Sequence, residues 1–350
     1  PSVLDAEKLE YLSSAGLRVV LRMRKNAADL KMVNVNSEVY EILDMTGFTD
    51  MITVEKAFRR LSLEGCELIA KGANGAVYRY DDETIVKTYF AKDALPEIKQ
   101  ERENARKAFV LGINTAIPYG IVRVDDGYGT VTELLNAVSV TKLIRNNPDD
   151  MSEAAKYYID MLKTIHSIEV EDGEVPDMKE TALAWADFVK AHLPEDQGKK
   201  LRALIEAVPK KNTLMHGDYH TNNIMVQNGE PLLIDMDTLC MGHPIFELGS
   251  MVNAFIGYSE LNPQTAIDFF GFTHETAEKF WRLVLKMYLG TEDKEVCRSV
   301  EKKAMIVGYT RMLRRAIRRP QDADSPAKIA RCKEVLAELL SKIDSLCFDC

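Results

Sequence analysis

The sequence predicts an α+β protein: a small strand-rich part, a larger helical part after it, and a separate α/β segment in front. Three observations predict this. Residues 63–135 alternate apolar and polar positions between glycine and Asp-Asp turns, which is the two-residue period of strands. Residues 136–350 repeat apolar positions every three or four residues over most of their length, the period of amphipathic helices. Residues 1–62 run strand, helix, strand, helix, the order of a parallel α/β unit.

Composition narrows the function classes. A chain of 350 residues can bury a sizeable core and predicts two or three domains. No apolar run approaches the ~18 residues of a membrane span, and no signal peptide is read at the start, so no membrane partner is expected. The net charge of −9 argues against a general nucleic-acid binder. Of six cysteines only Cys347 and Cys350 form a Cys-x-x-Cys, with no second pair to complete a metal site. Reduced thiols and a cytoplasmic location are expected.

In residues 1–62, Val3-Leu4 leads to a helix over 17–25 with Leu17, Val20 and Leu21 on one face, capped by Ser13 or Ser14. A strand over 30–35, a helix over 37–44 ending near Gly47 and a short helix over 54–61 follow. The pieces Tyr11-Leu12-Ser13-Ser14-Ala15-Gly16-Leu17-Arg18-Val19-Val20, Met32-Val33-Asn34-Val35 and Val39-Tyr40-Glu41-Ile42-Leu43-Asp44-Met45-Thr46-Gly47-Phe48 resemble the C-terminal half of a STAS domain, the anti-sigma-factor antagonist fold. The resemblance implies a protein partner for this segment. It also implies a Ser-rich turn that can carry a regulatory phosphate. Ala15 stands at the usual acceptor position, so Ser14 is the candidate, against the plainer role of Ser13 and Ser14 as helix caps. A complete domain of this kind needs further chain in front, so the sequence is expected to begin within it.

In residues 63–135, Gly72 and Gly75 lie between two apolar strands, where the missing side chains allow backbone N–H groups to approach a phosphate. The next strand carries one lysine, Lys87, in a β-branched run: either a solvated edge residue or a cation kept for phosphates. A helix follows from Pro96 to about Leu111 and stops at Gly112. Glu101, Ala105, Ala108 and Gly112 share a face on it, making Glu101 the favoured carboxylate partner for Lys87 over Glu97 and Glu103. A hairpin through Asp125-Asp126-Gly127 leads to Thr130-Val131-Thr132-Glu133-Leu134-Leu135.

The stretch that carries chemistry comes next. Leu214-Met215-His216-Gly217-Asp218-Tyr219-His220-Thr221-Asn222-Asn223-Ile224-Met225-Val226 reads as strand, polar loop and strand. After an Asn228-Gly229 turn, Leu232-Leu233-Ile234-Asp235-Met236-Asp237 reads as strand and acidic loop. Phosphoryl transfer from ATP needs one carboxylate for the acceptor hydroxyl, and an amide oxygen plus a second carboxylate for Mg²⁺. His-Gly-Asp-(x)4-Asn followed by Ile-Asp resembles the core of the aminoglycoside phosphotransferase and choline kinase group, small-molecule kinases with the bilobal protein-kinase-like fold. Carried over position by position, the resemblance implies Asp218 as catalytic base and Asn223 and Asp235 as metal ligands. It implies His216 as a loop organiser, Gly72 and Gly75 over the phosphates, and Lys87 with Glu101 on the α- and β-phosphates. Glu133 and Leu135 would offer hinge main-chain groups to adenine.

In the helical part, helices are read over 141–146, 151–168, 184–192, 198–207, 275–289, 293–318 and 327–346. His166, at a helix end among apolar neighbours, is read as structural. Met241-Gly242-His243-Pro244-Ile245-Phe246-Glu247-Leu248-Gly249 resembles that family's Gly-Asp-Pro-x-x-Asp-Leu-Ala. Here His243 replaces one Asp, and Glu247 replaces the Asp expected to brace the catalytic loop. Glu247 is read as a support one methylene longer, His243 as a loop residue. Arg311, Arg314, Arg315, Arg318 and Arg319 fall in nine residues of the 293–318 helix and its end, either as a solvated face or as a site for an anionic substrate or partner. Lining the pocket, they would repel a polycationic aminoglycoside. The expectation is an ATP- and Mg²⁺-dependent kinase of a small-molecule hydroxyl in 63–350, behind a partial STAS-like segment in 1–62. The alternative is a regulatory protein kinase or nucleotide-sensing signalling protein acting through that segment.

Overall fold

In the computed structural model of the chain, which describes residues 2–72 and 74–348, the expected α+β class is observed. The chain divides into two compact units, Pro1–Ile98 with Tyr119–Leu134, and Lys99–Pro118 with Leu135–Cys350.

The first unit holds two sheets. β1 (Val3–Asp5), β2 (Lys31–Val35) and β3 (Thr53–Lys56) are parallel, with α1 (Ser14–Asn26) and α2 (Ser37–Met45) as crossovers. Ser13 caps α1, its hydroxyl accepting from the Gly16 N–H. Asn36 caps α2, accepting from Val39 N–H at 2.8 Å while donating to the Leu9 carbonyl at 2.7 Å. Leu12, Val20, Met32, Val35, Val39 and Leu43 form a buried core of their own.

The second sheet contains β4 (Arg59–Leu61), β5 (Glu67–Lys71), β6 (Gly75–Arg79), β7 (Thr84–Tyr89), β8 (Pro118–Val124) and β9 (Gly127–Glu133), in the order β4-β8-β9-β7-β6-β5. The glycine hairpin is antiparallel β5–β6, and Gly75 is required there: a Cβ would lie 2.0 Å from the Thr88 carbonyl oxygen on β7. Lys87 sits on β7 opposite Val77 and Thr130, half-buried, with its ammonium 5.4 Å from the Tyr89 ring centre. The short helix expected over 54–61 is replaced by β3 and β4. So short a helix is marginal by itself, whereas the open edges of β2 and β8 supply backbone partners for both pieces in parallel register.

α3 (Leu95–Val110) begins in the first unit and continues in the second. There follow β10 (Val138–Ser139), α4 (Val140–Asn146), α5 (Ser152–His166), α6 (Met178–Val189) and α7 (Glu195–Glu206). Four short strands come next, β11 (Leu214–Met215), β12 (Ile224–Gln227), β13 (Glu230–Leu233) and β14 (Cys240–Met241), then α8 (Ile245–Val252). The chain is completed by α9 (Gln264–Phe270), α10 (His274–Leu289), α11 (Lys294–Arg318) and α12 (Ser325–Leu340), the last shorter than the 327–346 expected. Every residue of α8 is buried. It crosses α11 at a glycine pair: a Cβ on Gly308 would lie 2.6 Å from the Gly249 carbonyl oxygen, and the Asn253 amide donates to the Gly308 carbonyl at 2.8 Å. Tyr158, Phe255, Phe280 and Trp281 are fully buried in the same core, each ring contributing roughly 1.5–3 kcal/mol of burial. Among the described residues no helix is long and apolar enough to cross a membrane.

Candidate active site

The site in the second unit is a loop between β11 and β12, followed by a hairpin. Asn228 and Gly229 both adopt positive φ (53° and 83°), the backbone of a two-residue primed turn that pairs β12 with β13. The Ile234 N–H donates to the Asn223 carbonyl at 3.0 Å, so the residue before Asp235 lies against Asn223. Asp235 itself is held at φ 64°, uncommon for a residue with a side chain.

Several peptide groups of the loop have partners on other elements. Glu247, on α8 and 1% exposed, accepts from the His216 N–H at 2.7 Å and from the Gly217 N–H at 3.1 Å. The His216 ring accepts from the Asp218 N–H at 3.3 Å through Nδ1 and meets the Ile234 carbonyl at 3.0 Å through Nε2. That geometry selects the tautomer with its proton on Nε2 and ties the two halves of the site together. Gly217 has φ 82°, and a Cβ there would lie 2.4 Å from the Thr238 carbonyl oxygen. Tyr219 and Tyr158 exchange hydrogen bonds, each hydroxyl donating to the other's carbonyl at 2.6 and 3.1 Å.

The Asp218 side chain remains about half exposed, facing Arg311 Nη2 and His220 Nε2, each 3.6 Å from a carboxylate oxygen. Burial alone would raise its pKa. The hydrogen bond from His220 and the charge on Arg311 more than reverse this and hold the carboxyl far below the usual carboxylate range. The Asn223 amide nitrogen donates to the Asp218 carbonyl at 3.1 Å, leaving its oxygen as the atom to meet a cation. An amide oxygen and a carboxylate such as Asp235 are hard donors of the kind Mg²⁺ takes. Among the described residues no cluster of three or more His, Cys, Asp or Glu side chains forms a protein-only cage.

The structure thus brings His216, Asp218, Asn223 and Glu247 together, with Asp235 one residue from the contact to Asn223. In the first unit Gly72 follows β5, Gly75 begins β6, Lys87 lies on β7, and Glu133, opposite Thr84, ends β9. Leu135 begins the second stretch of the second unit. On α3, Glu101 is half-buried whereas Glu97 and Glu103 are exposed, Glu103 lying 3.8 Å from Arg106. His166 bonds the Tyr288 hydroxyl at 2.8 Å. His243 accepts the Ile245 N–H at 3.1 Å through Nδ1, doing for the start of α8 what an Asp side chain does at a helix N-terminus.

Sequence reasoning missed three contributors. Arg311 Nη1 donates to the Gly217 carbonyl and to the Ser250 hydroxyl, both at 2.9 Å, and the Ser250 hydroxyl also reaches that carbonyl at 3.2 Å. The Asn104 amide on α3 donates to the Met236 carbonyl at 2.9 Å, bracing the acidic loop. Arg311 lay inside the noted arginine run, but nothing in the run singled it out. Ser250 and Asn104 carry no sequence signal.

Comparison with known proteins agrees with this architecture. The family model described as Phosphotransferase enzyme family (APH) matches residues 65–281, and that of the STAS domain matches residues 1–86. A curated relative is the EKC/KEOPS complex subunit BUD32 of Yarrowia lipolytica, 27% identical over 202 residues, 53% of this chain and 71% of that protein. Among solved structures, ADP-bound aminoglycoside phosphotransferase APH(2'')-Ib superposes with a TM-score of 0.53 at 15% identity, covering 87% of this chain and 99% of that one. A choline/ethanolamine kinase family protein from Mesorhizobium loti gives 0.51 at 12% identity, covering 80% and 92%. At such identities the likeness establishes the protein-kinase-like fold.

Proposed function

The chain belongs to the phosphotransferase enzyme family and is a phosphotransferase with an alcohol group as acceptor; from that premise we propose that it uses ATP and Mg²⁺ to phosphorylate a small molecule. The observation that carries this is Asp218: an ionised, half-exposed carboxylate on a loop whose backbone is fixed on both sides. Its low pKa suits a group that orients the acceptor hydroxyl and takes up its proton late, as the bond to phosphorus forms. Asn223 and Asp235 would hold Mg²⁺, which supplies charge neutralisation on the phosphates when bound. Lys87 with Glu101, and Gly72 with Gly75, are assigned to the nucleotide phosphates, and the main chain at Glu133 and Leu135 to adenine. Cys66, Cys240, Cys297, Cys332 and Cys347 are free thiols, which fits a cytoplasmic enzyme.

Asp218→Ala is expected to lower phosphoryl transfer by about 10²–10⁴-fold while Mg·ADP affinity by calorimetry stays within about twofold. Undiminished turnover would refute the role of Asp218. The match of residues 1–86 to the STAS model favours a second reading, a regulatory kinase or nucleotide-sensing protein that acts on a protein partner. Incubation with ATP separates the two: phosphoserine on the chain or on a partner supports the regulatory reading, and acceptor-driven ADP release supports the small-molecule kinase.

A further inference from the structure

α11 carries a row of arginines whose first member reaches the catalytic loop. Arg311, Arg314, Arg315 and Arg318 recur at three- and four-residue intervals, so they form one ridge of the helix. The ridge starts at the chemistry, since Arg311 lies 3.6 Å from the Asp218 carboxylate and bonds the Gly217 carbonyl. Two of its members rest on aromatic rings, Arg311 over Trp185 and Arg315 over Tyr258, each 5.7 Å from the ring centre. Both rings are half-buried. Such stacking orders a guanidinium while leaving its N–H edge for an anion.

The remaining guanidiniums are not neutralised. Among the described residues no carboxylate lies within ion-pair distance of Arg314, Arg315 or Arg318, although the chain carries 54 acidic residues against 45 basic ones. Partial burial, then repulsion from Arg318 and Arg311, disfavours the charged form of Arg314. Arg314 therefore feels both Arg318 and Arg311. The negative end of the helix dipole accounts for cations in the last turn, Arg315 and Arg318, but not for Arg311 and Arg314 upstream. Arg315 and Arg318 are exposed and Arg314 is half-buried, so the ridge that Arg311 heads presents unpaired positive charge to solvent, a setting that favours an anion.

We propose that the acceptor alcohol carries an anionic group, a phosphate or a carboxylate, and that Arg314 and Arg318 bind it while its hydroxyl meets Asp218. Arg311 is committed to the loop and serves as the positioning residue at the head of the row. The inference rests on the reading of Asp218 as the acceptor-side carboxylate.

Two measurements on the full chain test it. In the first, ADP release with ATP and Mg²⁺ is compared for glycerol, ethanolamine, glycerate and glycerol 3-phosphate. In the second, inorganic pyrophosphate is titrated calorimetrically into protein saturated with Mg²⁺ and a non-hydrolysable ATP analogue, for the wild type and for R314Q/R318Q. The anionic alcohols are expected to exceed the others by about tenfold or more in kcat/KM, the worth of one or two charge-assisted hydrogen bonds. The double variant is expected to raise their KM about tenfold, with kcat and the KM for ATP nearly unchanged, and to weaken pyrophosphate binding about as much. R314K/R318K, which keeps the charge, is expected to recover part of both losses. Glycerate and glycerol 3-phosphate distinguish a carboxylate from a phosphate site. A preference for glycerol or ethanolamine, or pyrophosphate binding that is absent or the same in both proteins, would overturn the proposal. Lack of Mg²⁺-dependent affinity for the ATP analogue would remove the kinase reading, and this inference with it. Intact nucleotide binding without arginine-dependent anion binding removes this inference alone.

Discussion

His243 shows how one atom decides whether an exchange of residue types is tolerated. Its Nδ1 accepts the Ile245 N–H, which it can do only while that nitrogen carries no proton. Burial first, then Lys211 and His166, lower its pKa from 6.5 to about 4. A histidine whose folded pKa is depressed favours the unfolded state once the unfolded imidazole begins to protonate. Stability is therefore complete above pH 6.5 and is lost as pH falls from there towards about 4, at no more than roughly 1.4 kcal/mol per pH unit. His243→Asn keeps an acceptor without a titrating group. Urea midpoints for the two proteins are expected to converge at low pH relative to their separation at pH 7, and parallel curves would show that His243 does not titrate in this window. The residues that read correctly at this scale did so because their partners are close in sequence or dictated by local chemistry: Ser13 at a cap, and Asn228-Gly229 at a primed turn. Arg311 was not legible. Its partner Gly217 is 94 residues away, and no local pattern encodes a contact of that kind.

Among the elements, the crossing of α8 and α11 sets the geometry of the loop. The close approach at Gly249 and Gly308 places Ser250, one residue beyond the first, against Arg311, one turn beyond the second. Gly308→Ala would thrust a methyl group to 2.6 Å from the Gly249 carbonyl oxygen. The helices must then separate, at a cost of about 1–3 kcal/mol that alanine's better helix propensity only partly offsets. A lower urea midpoint and a fall in kcat larger than any change in the KM for ATP are expected, because separation draws Arg311 off the Gly217 carbonyl. An unchanged kcat at reduced stability would show that the crossing supports the fold without tuning the loop. The elements over 54–61 misled because propensity is weak over eight residues, and the deciding factor, an open strand edge on β2 and on β8, belongs to chain far from them.

For the whole molecule, the two larger cores share no residue: the first draws only on the N-terminal segment, the second only on the second compact unit. Both tryptophans, Trp185 and Trp281, belong to the second. Leu43→Ala, which empties a fully buried position of the first core, is expected to cost about 2–5 kcal/mol there. Far-UV circular dichroism should then register an earlier loss of structure, while the tryptophan fluorescence transition stays in place; a shift of both together would show that the cores unfold as one. The α+β class could be read from periodicity because each element buries one face. The arginine ridge proposed to meet an anion could not, since whether Arg314, Arg315 and Arg318 gain carboxylate partners depends on which acidic residues the fold brings near them.

The paired tyrosine bonds have a consequence for turnover. With the carbonyls of Gly217, Asp218 and Tyr219 and the N–H groups of His216, Gly217 and Asp218 all engaged, the segment bearing Asp218 has no slack with which to follow a departing product. Whatever movement turnover requires must fall to other parts of the chain, because the Asp218 segment is tied at its backbone on both sides.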